Sequence, residues 1–161
     1  MPVKGTHASS DANWISQTTR HGYYGKVDFL FVVQEEADPA YALLRQMQAD
    51  GRLPKEGLRV LVAGLTKNTS QKLHNMIYAI ERVSEASEFV LMLDDDMLLH
   101  PGAVAGLAKE LAEPTVLAAS GSPVTCRRCR RWCVTPLASS GSSWTSASRW
   151  EQRTPRGAAA A

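Results

Sequence analysis

Three consecutive carboxylates, Asp94, Asp95 and Asp96, directly follow the apolar run Phe89–Leu93. The run is short, has no polar gap and precedes a turn near Pro101, so it predicts a buried strand that delivers charge to a sheet edge. On a strand, Asp94 and Asp96 would point to one face and Asp95 to the other. Because two carboxylates about 4 Å apart repel each other by roughly 1 to 4 kcal/mol, a cation, a basic side chain or protonation must offset them.

A divalent metal ion that also holds a phosphate would neutralise such a pair, since carboxylates and phosphate oxygens suit hard cations. Loops that follow adjacent parallel strands converge, which predicts that Lys4, Asp38 and Lys72 reach the same crevice. Lys72 also begins a predicted helix, where its ammonium and the helix N-terminus both favour an anion. Each residue has a plainer explanation: a solvated acidic loop, exposed lysines, Asp38 as a helix cap and Asn75 as a solvated helix residue.

Other phosphate and metal chemistries fit less well. The chain has no glycine-rich loop that ends in Gly-Lys-Ser/Thr, which excludes a P-loop. An EF-hand beginning at Asp94 would need Gly and Glu where Leu99 and Ala105 stand, so that site is excluded as well. Aspartate-nucleophile phosphatases also place Asp-x-Asp after an apolar strand, but they normally have threonine in place of Leu98. The phosphatase therefore remains an alternative.

Strand-like and helix-like segments alternate through the first 120 residues. A strand is predicted to end at Val3, and further strands are predicted at Val27–Val33, Arg59–Ala63, Phe89–Leu93 and Val116–Ala119. Helices are predicted at Ser10–Ile15, after Asp38–Pro39, around Leu73–Val83 and around Val104–Leu111. Asp38 before Pro39 is a typical N-cap with proline at the first helical position. The alternation predicts an α/β fold with a largely parallel, doubly wound sheet and a site at the carboxyl ends of its strands.

Composition changes abruptly along the chain of 161 residues, which is 44% hydrophobic with net charge +2. Residues 1–119 carry 11 basic and 15 acidic side chains, whereas residues 120–161 carry seven arginines and one acid, Glu151. This C-terminal segment also holds all three cysteines, at 126, 129 and 133. Three cysteines without a fourth ligand are a weak zinc signal, and arginines without a recognisable module predict no nucleic-acid partner.

Four motifs, taken in order, resemble those of the ceramide glucosyltransferases, which belong to the nucleotide-sugar glycosyltransferases of GT-A fold. They are Pro2–Gly5, Val33–Ala40, Gln71–Asn75, and Leu93–Asp94 with Pro101 seven residues later. The resemblance covers residues 1 to about 120 and implies a partial GT-A (Rossmann-like), mostly parallel sheet with flanking helices. It also implies transfer of glucose from UDP-glucose to ceramide or another lipid acceptor.

The resemblance implies roles for individual residues. It assigns UDP-sugar binding to Lys4, Asp38, Lys72, Asn75 and Asp94. It assigns Mg²⁺ or Mn²⁺ to Asp94 and Asp96, although many relatives have a small residue at the second position. The family's catalytic base is a later aspartate without a counterpart here, and its Gln/Arg-x-x-Arg-Trp motif is missing too, because Ser146 precedes Arg149–Trp150. No catalytic residue is therefore assigned.

These departures predict a donor-binding half at residues 1–124 and a low-complexity, disordered Arg/Ser/Ala-rich tail at residues 125–161. The chain as a whole is therefore predicted to be an incomplete and inactive form of the enzyme. Full-length relatives are embedded in Golgi or ER membranes, whereas this chain has no run of about 20 apolar residues and is expected to be soluble by itself. The alternatives are another family 2 glycosyltransferase with a different acceptor, the phosphatase, and a non-catalytic α/β fragment.

Overall fold

A computed structural model describes residues 1–122 and 133–138 of the chain. Its elements in chain order are α1 (Ser10–Thr19), β1 (Phe29–Val33), α2 (Pro39–Ala49), β2 (Leu58–Val62), α3 (Gln71–Ile80), α4 (Ala103–Leu111), β3 (Val116–Ser122) and β4 (Cys133–Ala138). The predicted helices, and the predicted strands that correspond to β1, β2 and β3, are confirmed. The α/β fold class, with a small parallel sheet flanked by helices, is confirmed as well.

The parallel sheet consists of β1 and β2, paired from Phe29 opposite Leu58 to Val33 opposite Val62. On the other side of β1, residues 1–3 add one parallel bridge between Pro2 and Val32. β3 does not extend this sheet, because it pairs antiparallel with β4. The carboxyl end of β1 and the residues that follow Val3 therefore lie side by side, as a site at this edge requires.

The core lies where α1 and α2 cover the sheet. Trp14 of α1 meets Phe31 of β1 edge to face, with ring centroids 5.9 Å apart. Leu44 and Met47, spaced three residues apart on α2, are fully buried against the same strands. Aromatic pairs of this kind add about 0.5 to 1.5 kcal/mol beyond their burial, so α1 is held firmly on β1.

The predicted buried strand at Phe89–Leu93 is wrong. These residues lie in no helix or strand, and Phe89, Val90, Leu91 and Met92 are 39 to 53% exposed. Within the described residues their backbone groups make no hydrogen bond. The sheet beyond β1 consists of residues 1–3 joined by a single bridge, which offers too few backbone groups for another ladder. The run instead borders a cavity of about 440 Å³ that Met1 and Leu30 also line.

The predicted division of the chain at residue 124 remains a prediction. Most of the tail from residue 125 lies outside the described residues, and the described part of it, Cys133–Ala138, is strand β4. Among the residues that the structure describes, no helix combines the length and hydropathy needed to cross a bilayer.

Candidate functional site

A small cavity of about 270 Å³ opens beside the carboxyl end of β1. It is lined by Pro2, Val3, Lys4, His7, Gln34, Gln71, Lys72, Asn75, Asp94, Asp95 and Asp96. Of the candidate residues that the sequence suggested, all except Asp38 are in this lining. Gln34 and Gln71 lie within two of the four motifs but were given no role, and His7 was not singled out, because an isolated polar residue in a loop carries no spacing signal.

Lys72 and Asp94 form an ion pair in this cavity, with Lys72 Nζ 2.6 Å from Asp94 Oδ1. Lys72 is the second residue of α3, whose N-cap Ser70 accepts from Leu73 N through its side chain. The hydrogen bond to Asp94 raises the pKa of Lys72. Both side chains are more than half exposed, so the pair can open at little cost when another charged group enters.

The acidic residues form a turn instead of continuing a strand. Asp95 and Asp96 occupy the turn, and Met97 N donates to Asp94 O over 3.3 Å. The predicted alternation of Asp94 and Asp96 against Asp95 is therefore wrong, and all three border the same cavity. Burial raises the pKa of Asp95, and the neighbouring Asp96 charge acts in the same direction.

Two buried side-chain amides on α1 donate hydrogen bonds to the backbone of this turn. Gln17 Nε2 donates to Asp94 O over 3.1 Å and to Met97 O over 2.6 Å. One helical turn earlier, Asn13 Nδ2 donates to Asp96 O over 3.3 Å. Neither residue was predicted as functional from the sequence, because a helix pattern is recognised by its apolar positions. The available signal was the spacing of four between the two amides, which places them on one face beside Trp14.

Asp38 joins two backbone segments below the cavity. As the cap of α2 it accepts from Ala40 N over 2.8 Å, and its two oxygens accept from Gly5 N over 2.9 and 3.2 Å. Gly5 has φ +66°, a conformation that glycine adopts without strain. The predicted N-cap is confirmed, and the carboxylate fixes the loop that carries Lys4.

Asn75 is buried, so the plainer interpretation of a solvated helix residue is wrong. It is 3% exposed, and its Nδ2 donates to Val32 O over 3.4 Å. Its Oδ1 accepts a hydrogen bond from Gln71 Nε2 over 2.8 Å, and Gln71 Nε2 also donates to Gly64 O. These bonds tie the first turn of α3 to the end of β1, which fixes the position from which Lys72 extends.

The oxygen donors at this site suit a hard divalent cation that is shared with a phosphate. Asp94, Asp95 and Asp96 supply carboxylates of the type that Mg²⁺ and Mn²⁺ prefer. In the described part of the chain, however, no three His, Cys, Asp or Glu side chains converge as a ready-made metal cage. An ion held here would need further oxygen ligands from a bound diphosphate and from water, which is the usual arrangement for Mg²⁺ at phosphate sites.

Comparison with known proteins gives one match. The sequence profile of glycosyl transferase family 21 matches residues 1–135. No curated protein and no solved structure matches the chain. The matched range contains every residue of the cavity described above and extends beyond the end at about residue 120 that the motifs suggested.

Proposed function

Because the chain belongs to glycosyl transferase family 21, whose enzymes use a nucleotide-sugar donor and an acceptor, we propose that the cavity at Lys4, Lys72 and Asp94–Asp96 binds the diphosphate of UDP-glucose. The observation that carries this proposal is the Lys72–Asp94 pair, 2.6 Å apart in a cavity that also holds two more carboxylates and a second lysine. A metal-bound diphosphate needs both kinds of charge, carboxylates for the cation and ammonium groups for the phosphate oxygens.

In the proposed reaction a hydroxyl oxygen of the acceptor attacks C1 of glucose with inversion, and the bond from C1 to the UDP oxygen breaks. Asp94 and Asp96 would hold Mg²⁺ or Mn²⁺, which when bound neutralises charge on the leaving diphosphate. Lys72 and Lys4, which line the same cavity, would neutralise the remaining phosphate charge. The hydroxyl proton passes to a general base, a role for which the family resemblance assigns no residue of this chain.

For the acceptor we propose the primary hydroxyl of ceramide. The support is the ordered set of motifs, from Pro2–Gly5 through Val33–Ala40 and Gln71–Asn75 to Asp94, which resembles the ceramide glucosyltransferases. A different lipid acceptor is compatible with the same donor site. By the same resemblance, the full-length enzyme would act at a Golgi or ER membrane.

The donor site is tested by titrating the purified chain with UDP, with and without Mn²⁺. We expect Mn²⁺ to strengthen UDP binding in the wild type. The Asp94→Ala and Asp96→Ala variants should lose about tenfold or more of the metal-dependent affinity, since loss of a residue that only orients a metal ligand already costs about 10 to 100-fold. The matched control is Asp50→Ala, because Asp50 is 49% exposed against 51% for Asp94 and is also paired with a basic side chain, Arg52.

Competition between UDP-glucose and UDP-galactose for the same site then tests the sugar. The proposed donor site is wrong if Asp94→Ala binds UDP and Mn²⁺ as tightly as Asp50→Ala does. A non-catalytic α/β fragment would bind UDP neither with nor without the metal.

A further inference from the structure

The backbone of the acidic turn rests on α1. Gln17 donates to the carbonyls of Asp94 and Met97, the two residues that flank the turn, and Asn13 donates to the carbonyl of Asp96 inside it. We propose that Gln17, supported by Asn13, is a positioning residue that holds the turn so that Asp94 and Asp96 face the metal and diphosphate of the donor. This assignment rests on the proposed function.

The contacts from α1 reach the backbone of the turn and involve none of its carboxylate oxygens. Asp94 and Asp96 are exposed, with their side chains at the cavity, while their carbonyls point towards α1. The turn's own bond, from Met97 N to Asp94 O, is long at 3.3 Å. Since neighbouring carboxylates repel each other, a turn that carries three of them benefits from support that does not consume a carboxylate oxygen.

The burial of Gln17 argues against a purely packing role. It is 1% exposed, and its Oε1 is buried without a hydrogen-bond partner among the described residues. An unpaired buried polar atom is destabilising, and an apolar side chain of the same size would avoid this penalty. Within the described residues, the Gln17 amide donates to the two turn carbonyls and to no other group.

α1 itself is well placed to hold the turn still. Trp14 fixes the helix to β1 through its contact with Phe31, and Gln17 lies one turn further along the same helix. A metal ligand must be held within fractions of an ångström of its productive position. Replacing a side chain that orients a metal ligand typically lowers metal affinity by about 10 to 100-fold. Gln17 would orient the proposed metal ligand Asp94 in this way, through a hydrogen bond to its backbone carbonyl.

The test measures how much Mn²⁺ strengthens UDP binding, as the ratio of the UDP dissociation constants without and with the metal. Gln17→Met keeps the volume of the side chain and removes its two donors. We expect this variant to lower the ratio by about tenfold and to leave the metal-free UDP affinity unchanged. A general loss of structure would instead weaken binding under both conditions.

Thr18→Val is the matched control. Thr18 is 4% exposed on the same helix, and its hydroxyl donates to Trp14 O and Ile15 O within α1, away from the turn. Thr18→Val should change the melting temperature without changing the ratio of the two UDP dissociation constants. Asn13→Ala removes one longer bond to the turn, together with a 3.4 Å bond to Ser9 Oγ within the N-terminal end of α1. It should lower the ratio by a smaller factor, and it is the deciding variant if Gln17→Met does not fold.

The outcomes separate the two proposals. If the wild-type chain does not bind UDP more tightly with Mn²⁺, the proposed function fails and the positioning role fails with it. If the wild type shows the metal effect and the folded variants of Gln17 and Asn13 keep it in full, the positioning role alone is overturned.

Discussion

At the scale of single residues, Lys72 contacts a carboxylate that the proposed metal ion would also need. Its ammonium lies 2.6 Å from Asp94 Oδ1, and Asp94 is one of the two residues proposed to hold the divalent cation. On that proposal the cation and Lys72 would compete for Asp94, whereas the diphosphate would offer Lys72 a new anionic partner.

This competition predicts opposite effects for Lys72→Met. Mn²⁺ in the absence of UDP should bind several-fold more tightly, because three carboxylates would lose a cation that partly neutralises them. UDP in the absence of metal should bind more weakly, because a phosphate contact is lost. Both are measured by calorimetry, with Lys67→Met as the control, since Lys67 is exposed before α3 and lies outside the cavity lining.

Lys72→Met should scarcely change stability, because an ion pair this exposed contributes about 0 to 1 kcal/mol. Weaker binding of Mn²⁺ alone to Lys72→Met than to Lys67→Met would show that the lysine does not compete with the cation.

At the scale of elements, Asp38 fastens α2 to the N-terminal loop. Replacing a helix cap with alanine costs about 0.5 to 2 kcal/mol, and Asp38→Ala would also leave Gly5 N without its acceptor. We expect a loss of about 1 to 3 kcal/mol in the free energy of unfolding, measured by urea denaturation. Asp38→Asn retains an acceptor oxygen and should therefore keep most of the wild-type free energy of unfolding. Asp50→Ala, at the exposed end of α2, is the control.

The same pair of variants separates the structural role of Asp38 from the donor contact that the family resemblance implies. If Asp38→Asn is stable but loses UDP affinity, the carboxylate contributes charge to the donor site. If stability is the same in wild type, Asp38→Asn and Asp38→Ala, the cap and the bond to Gly5 are energetically unimportant, contrary to our expectation.

The elements that the sequence predicted well have local signals, and those it predicted poorly depend on distant partners. The start of α2 follows from Asp38 and Pro39 alone, because a cap is formed within four residues. The strand predicted at Phe89–Leu93 required a neighbour, and periodicity cannot show whether a neighbouring segment offers a ladder. Likewise, the cavity could be predicted from loops that converge at one sheet edge, whereas Gln17 contacts a turn 77 and 80 residues away. The spacing of Asn13 and Gln17 indicates a shared helix face but not the segment that this face contacts.

At the scale of the whole molecule, we expect the 161-residue chain, assayed by itself, to bind UDP without transferring glucose. Loss of a general base costs about 10² to 10⁴ in rate, and poor positioning of the acceptor adds to this. After the acidic turn the chain contains three further carboxylate side chains, Glu110, Glu113 and Glu151, and none of them lies in a family motif. The assay measures conversion of labelled UDP-glucose and a soluble ceramide analogue to glucosylceramide. Turnover that disappears in Asp94→Ala would contradict the expectation.

In concentrated solution we expect the run Phe89–Leu93 to promote cross-β aggregation. Five consecutive residues, four of them 39 to 53% exposed, present unpaired backbone groups beside apolar side chains, which are the ingredients of intermolecular strand pairing. A charge within the run should block this pairing, so Leu91→Lys should raise the soluble fraction after expression and lower thioflavin T fluorescence on storage. Leu73→Lys adds the same charge at a leucine of similar exposure, 46% against 43%, on helix α3. Equal improvement in both variants would attribute aggregation to net charge and not to the unpaired segment.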